Sequence, residues 1–192
     1  VTQSLAENVS EAARKYYFYD IADRLIMAVL PPVDDPYDNP DQGETVHPIY
    51  RYYYDTNSNQ TAILDPLGRA TVFEYDHENR LTKQYMPYQV TFDGVNLSDS
   101  AKYADLEAQI YNNLPTGWKF EQKWYDSFGR LEKEKDYAGQ YTVYGYYDAQ
   151  TMYDGGEFVG APGQIMLADY YIADPSIGDN LRSSIRYTYD RL

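Results

Sequence analysis

The stretch from Tyr52 to Met86, YYYDTNSNQTAILDPLGRATVFEYDHENRLTKQYM, decides the fold, because its pattern recurs on either side of it. It holds Tyr54-Asp55, then Asp65-Pro66-Leu67-Gly68-Arg69, then Tyr75-Asp76, with β-branched and aromatic residues between. A second copy runs from Trp124 to Asp148, through Tyr125-Asp126-Ser127-Phe128-Gly129-Arg130-Leu131, Asp136-Tyr137-Ala138-Gly139-Gln140 and Tyr147-Asp148. The motif aspartates are 10 and 11 residues apart in the first copy (55, 65, 76) and 10 and 12 in the second (126, 136, 148). Tyr19-Asp20 and Tyr189-Asp190 suggest further copies. A period of about 20 residues points to a repeat architecture, which outranks any local reading.

The spacing Asp-x-x-Gly suits a type I turn, in which Asp accepts backbone N–H bonds and Gly is favoured at the fourth position. A hairpin built this way leaves the fourth residue left-handed and opens a bulge into the next strand. That position reads Gly68, Gly129 and Gly139 in three copies, Asn79 and Asp23 in two, and Ser58 in one. Asn and Asp tolerate positive φ better than other non-glycine residues. Ser58 is the exception, and Asn59 is expected to take the left-handed place there.

Between turns the chain alternates. In Ala70–Tyr75 one face carries Thr71, Phe73 and Tyr75 and the other Ala70, Val72 and Glu74. Period-two aromatic and β-branched residues bounded by Asp, Gly and Pro predict antiparallel strands. Tyrosine pairs a large apolar ring with a polar tip, so stacked strands accommodate 24 tyrosines in 192 residues without any chemistry being required.

These residues resemble the YD-repeat, or RHS-repeat, family: Tyr54-Asp55, Asp65 through Asp76, and Tyr125 through Leu131 carry the motif, with Arg80-Leu81-Thr82 and Asp23-Arg24-Leu25 at its weaker ends. The family takes in bacterial RHS and wall-associated proteins, Tc-toxin shell subunits and teneurins. The resemblance implies a β-ribbon wound into a spiral that closes into a hollow shell, often around a toxic C-terminal segment. It further implies a secreted or cell-surface setting, association with the rest of a repeat-containing chain and with a cargo polypeptide, and, as an alternative role, glycan recognition by exposed tyrosines.

The expected fold is therefore mainly β: an antiparallel hairpin ribbon, one segment of such a spiral, with one or two short helices. Residues 1–15 read as an N-terminal helix or linker, capped by Ser4 and Glu7. Residues 16–192 read as the ribbon, with insertions at about 33–48, 87–117 and 152–182. Within the second insertion, Leu106, Ile110 and Leu114 line one face of a helix predicted over Ser98–Leu114 and expected to pack on the sheet. The chain begins without Met and ends in mid-motif, which reads as a piece of something larger.

Composition narrows the function. A net charge of −14 argues against holding a phosphate backbone, which needs clustered Lys and Arg. No apolar run approaches the roughly 20 residues a membrane helix needs. With no Cys there are no disulfides or thiolate metal sites. The acids Asp34, Asp35, Asp38, Asp41 and Glu44 offer oxygen ligands for calcium, but the EF-hand loop spacing is missing, and a solvated loop is the simpler reading. The two histidines, His47 and His77, belong to no hydrolase or metalloprotease motif. The expectation is a non-catalytic structural segment with no cofactor. Its working residues are the turn residues Asp20, Asp55, Asp65, Gly68, Arg69, Asp76, Asp126, Gly129, Arg130, Asp136, Gly139, Asp148 and Asp190, and the tyrosines Tyr19, Tyr54, Tyr75, Tyr125, Tyr147 and Tyr189.

Overall fold

The computed structural model describes residues 14–34, 45–91, 103–148, 153–154, 157–178 and 180–189. In chain order these form β1 (Tyr16–Tyr19), β2 (Leu25–Val29), β3 (Val33–Asp34), β4 (Thr45–Val46), β5 (Ile49–Tyr54), β6 (Gln60–Leu64), β7 (Arg69–Tyr75), β8 (Leu81–Tyr85) and β9 (Tyr88–Gln89). There follow α1 (Tyr103–Asn112), β10 (Phe120–Tyr125), β11 (Leu131–Lys135), β12 (Tyr141–Tyr146), β13 (Tyr153–Asp154), β14 (Glu157–Phe158), β15 (Ile165–Tyr171) and β16 (Leu181–Arg186). The chain divides into two compact units, one of residues 1–79 and 87–118 and one of 80–86 and 119–192. All described strand pairs are antiparallel, as the alternation predicts.

In the first unit β1, β2, β5, β6 and β7 lie side by side, and β9 pairs with the start of β7. The register places Arg51, Leu64 and Ala70 in one row and Tyr53, Ala62 and Val72 in the next, all on one face. These six side chains are buried, together with Tyr88, Val90, Leu106 and Ile110. Leu106 and Ile110 of the expected stripe thus lie in the core, whereas α1 ends at Asn112, short of the expected Leu114, which is half-buried beyond it. The Tyr88 hydroxyl donates to the Ile110 carbonyl at 2.7 Å and ties the end of α1 to β9. Ala62 and Ala70 are themselves fully buried on that face.

Among the described residues the second unit shows no such layer. Its sheet runs β8, β10, β11, β12, β15, β16, and most of its strand residues are half-exposed, Ala168 being the buried one. All six residues of β16 are exposed. Within the segment read as a third insertion, Ile165–Tyr171 is a full ribbon strand paired with both β12 and β16. Ile-Met-Leu-Ala-Asp-Tyr-Tyr does not alternate apolar and polar residues, so its period alone does not separate a strand from a buried loop.

Several expectations fall outside the described residues: the helix over 1–13, the acidic loop from 35 to 44, the helix start between 98 and 102, and Asp190. Arg14 and Lys15 are not helical, and β1 begins at Tyr16. At the base of the acidic loop, β3 and β4 pair Val33 with Val46.

Candidate functional site

The recurring structural site is the hairpin turn. In six copies the residue three after Asp donates its backbone N–H to the Asp carbonyl: Asp23 to Asp20, Ser58 to Asp55, Gly68 to Asp65, Asn79 to Asp76, Gly129 to Asp126 and Gly139 to Asp136, at 3.0–3.2 Å. Each fourth residue is left-handed, with φ of 58° at Asp23, 70° at Ser58, 75° at Gly68, 62° at Asn79, 79° at Gly129 and 83° at Gly139. This corrects the expectation for the Asp55 turn, where Ser58 and not Asn59 takes the positive φ. The reason is that Asn59 is otherwise engaged: its N–H donates to Asp55 Oδ1 and its side-chain amide to Asp55 Oδ2.

The aspartate side chain closes each turn from inside. One oxygen accepts the N–H two residues on and, in five copies, also the N–H four residues on (Arg24, Asn59, Arg69, Arg130, Gln140). Where the following residue is arginine, Nε of Arg24, Arg69 or Arg130 donates to the second oxygen at 2.7 Å. The Asp20 carboxyl is held below its ordinary range, first by the Arg24 N–H and then by its guanidinium. At Asp126 burial pushes the other way but is outweighed by the Arg130 N–H and side chain; at Asp55 it is likewise outweighed, by the Asn59 amide.

The tyrosine before the turn looks backward along the ribbon. The Tyr54 hydroxyl donates to the Leu25 carbonyl, Tyr75 to Gln60, Tyr125 to Leu81 and Tyr146 to Leu131, at 2.6–2.9 Å. Each acceptor is the first strand residue after the preceding turn on the same rim. The arginine of that preceding turn lies over the ring: Arg24 at 4.9 Å from Tyr54, Arg80 at 4.6 Å from Tyr125 and Arg130 at 4.3 Å from Tyr146. Arg24 Nη1 also donates to the Asp55 carbonyl. One turn is thereby bound to the next: aspartate orients arginine, arginine covers the following tyrosine, and tyrosine returns a hydrogen bond. At Asp55 the arginine is replaced by Asn59, which bridges instead to Asn79 Oδ1 at 2.8 Å.

The predicted residues divide into two kinds. Asp20, Asp55 and Asp126 follow tyrosines, and in their hairpins the register slips by one residue, at Tyr19, Tyr54 and Tyr125. The Asp65 and Asp136 hairpins lack a preceding tyrosine and pair without a slip. In the first unit, successive antiparallel connections put Asp20, Asp55 and Asp76 on one rim and Asp65 on the other. Tyr19 is exposed and joins no described ladder step.

The Tyr147-Asp148 pair differs from the expectation, since Tyr146 and not Tyr147 occupies the ladder position. Tyr147 is buried, donates its hydroxyl to the Tyr187 carbonyl at 2.7 Å, meets Tyr189 edge-on and lies against Gly160. It anchors the return from β12 to β15 in place of a tight turn. Two adjacent tyrosines before Asp148 made the choice undecidable from sequence, and only the strand register separates them. Of the histidines, His47 Nδ1 sits 2.9 Å from the Leu30 carbonyl and His77 is exposed on its turn. Among the described residues no three metal-ligating side chains gather, and no helix is long and apolar enough to cross a membrane.

The described strands thus form an antiparallel ribbon whose Tyr-Asp hairpins are cross-linked turn to turn. Residues 54–91 match the family model described as RHS Repeat, which shows the resemblance read from the motif. No curated protein matches. Among solved structures the chain is similar to TcdB2-TccC3-Cdc42, with a TM-score of 0.53 at 13% identity, covering 94% of this chain and 7% of that one. It is similar also to TcdB2-TccC3 without its hypervariable C-terminal region, with a TM-score of 0.54 at 13% identity and the same coverages. The likeness is one of fold, and the chain spans about 7% of the length of those structures.

Proposed function

We propose that this chain is a non-catalytic wall segment of a large, secreted or cell-surface RHS-repeat shell protein whose ribbon encloses or presents a C-terminal polypeptide. The observation that carries the reading is the ladder. Its hydrogen bonds and stacked cations link the hairpins of one rim, each to the next on that rim. Isolated hairpins are marginal in water, so a ribbon gains its stability from neighbour-to-neighbour coupling, the economy of a repeat wall. The Asp126 carboxylate is engaged within its own turn, by the Phe128 and Arg130 N–H groups and by Arg130 Nε. Limited proteolysis of the complete parent chain tests the proposal. The C-terminal polypeptide is expected to resist cleavage while the repeats are intact and to be cut once they are deleted. Equal cutting rates in the two cases refute it.

A further inference from the structure

β16 is joined to its sheet by backbone rather than by buried side chains. All six of its residues are exposed, and so are Tyr187 and Thr188 beyond it. Among the described residues it pairs with β15 alone, from Arg186 opposite Leu167 to Leu181 opposite Tyr171. At one end of this pairing the Ile172 N–H donates to the Asn180 carbonyl, and at the other the Tyr187 N–H donates to the Met166 carbonyl. Burial of apolar surface is the main force that holds a strand to its neighbours. A strand that contributes so little of it, with its backbone bonds near solvent, belongs to the part of a protein that opens most readily.

One buried side chain grips the far end of this strand. Tyr147 donates its hydroxyl to the Tyr187 carbonyl at 2.7 Å, and its ring meets Tyr189 edge-on at 6.3 Å. The Tyr189 N–H in turn donates to the Val159 carbonyl at 2.8 Å. Tyr147 is itself fixed by the connection that follows it: its N–H donates to the Gln164 carbonyl and its carbonyl accepts the Gly163 N–H. Gly160 is buried flush against the ring, where a Cβ would overlap Cδ2 and Cε2. In the four ladder rungs a tyrosine bonds back to an earlier residue. Tyr147 bonds forward, to a residue 40 positions ahead.

We propose that β16 and residues 187–189 form a strap that opens and closes as one unit, with Tyr147 as its fastener and Gly160 as the seat that admits the ring. The hydroxyl and the edge-on ring contact supply at one point the anchorage that the exposed side chains of β16 do not supply along its length. Opening bares the margin of β15 that β16 covers, a row of N–H and C=O groups able to pair another strand. The strap belongs to the second unit and does not rest on the wall reading.

Native-state hydrogen exchange of the chain, read amide by amide by NMR, is the test. Ile172, Tyr187 and Tyr189 report on the strap, and the amides of β11, which has a strand on either side, report on the rest of the sheet. The three strap amides are expected to share one level of protection, below that of β11. Tyr147→Phe keeps the ring and removes only the hydroxyl. It should lower protection at all three strap amides together by roughly fivefold, the loss of one hydrogen bond, and leave β11 unchanged. Gly160→Ala, which drives a Cβ into the ring, should lower it further; if that variant fails to fold, Tyr147→Phe still decides. Strap amides as protected as β11, or no change at any of the three in Tyr147→Phe, overturns the proposal. So does a loss at Tyr187 and Tyr189 with Ile172 unmoved, which would mean that the strand end frays by itself. Each of these leaves the proteolysis result on the parent chain standing.

Discussion

Replacing Tyr125 by Phe removes one atom from the ladder and keeps the rest. The Tyr125 hydroxyl donates to the Leu81 carbonyl at 2.9 Å in a part-buried setting, and Arg80 stays over the ring, 4.6 Å from its centroid. Net hydrogen bonds of this kind stabilise by about 1 kcal/mol, the rest being recovered from water. For a protein of this size that corresponds to roughly 2–4 °C in Tm. Tyr125→Leu should cost more, because the stacked cation is lost as well, and cation–π contacts at accessible sites contribute about 0.5–1 kcal/mol. A double-mutant cycle with Arg80→Gln and Tyr125→Leu isolates that coupling. Urea unfolding followed by tryptophan fluorescence in a Trp118→Phe background, where Trp124 beside the substituted residue is the reporter, provides the assay. Tyr19→Phe is the control, since that side chain is exposed and expected to be near-neutral. Stability unchanged in Tyr125→Phe, or a coupling indistinguishable from zero, would show that turns are joined by strand pairing alone.

Three further outcomes are expected. Gly139→Ala and Gly129→Ala both force a Cβ onto a left-handed residue, at φ of 83° and 79°, costing about 1–2 kcal/mol. Gly129→Ala should cost somewhat more, because its Cβ would sit 3.4 Å from Arg80 Nη1 whereas that of Gly139 meets nothing; equal costs by urea unfolding would show that the arginine gives way freely. Ile110→Ala empties a wholly buried site beneath α1 and should cost 2–5 kcal/mol, or about that, with hydrogen exchange locating the loss in the first unit; a cost below about 1 kcal/mol would mean the helix is not part of the core. Stability should fall at both pH extremes. Burial is the largest cause raising the Tyr53 and Tyr144 hydroxyls above their ordinary value of 10.0, so their contribution is present below pH 10 and lost as pH climbs through the folded values. The Asp20 carboxyl lies below its ordinary 3.8, so its contribution is present above that value and lost as acid protonates it. Thermal melts across pH check both limbs, and a flat alkaline limb would contradict the burial of Tyr53.

Turn chemistry was legible in the sequence because Asp-x-x-Gly is local: the residues that make the bonds lie within five positions of each other. The strands and the helix stripe of Leu106 and Ile110 were legible for the same reason, period and phase being properties of one segment. The ladder was not. Its acceptors lie 15 to 44 residues from their tyrosines, and no local rule links Tyr125 to Leu81 across a helix-bearing connection. Ser58 was misjudged because intrinsic tolerance of positive φ favours Asn, while the hydrogen bonds of Asn59 to Asp55 fix where the left-handed residue must fall. The choice between Tyr146 and Tyr147 likewise belonged to pairing with β15, a strand whose existence the sequence left open.

In the first unit the connections at 30–48 and after Met86 leave from the rim opposite Asp20, Asp55 and Asp76. The described ladder rungs all lie on the other rim, so the helix carried by the connection after Met86 is held by its buried Leu106 and Ile110 and by the Tyr88 hydroxyl, not by a rung. Where the second unit places an excursion on the ladder margin instead, between Tyr146 and Ile165, it furnishes a private keystone in Tyr147 and Gly160. Growth on either side thus demands its own packing: Tyr147 against Gly160 on the one, and α1, with Leu106 and Ile110 buried, on the other.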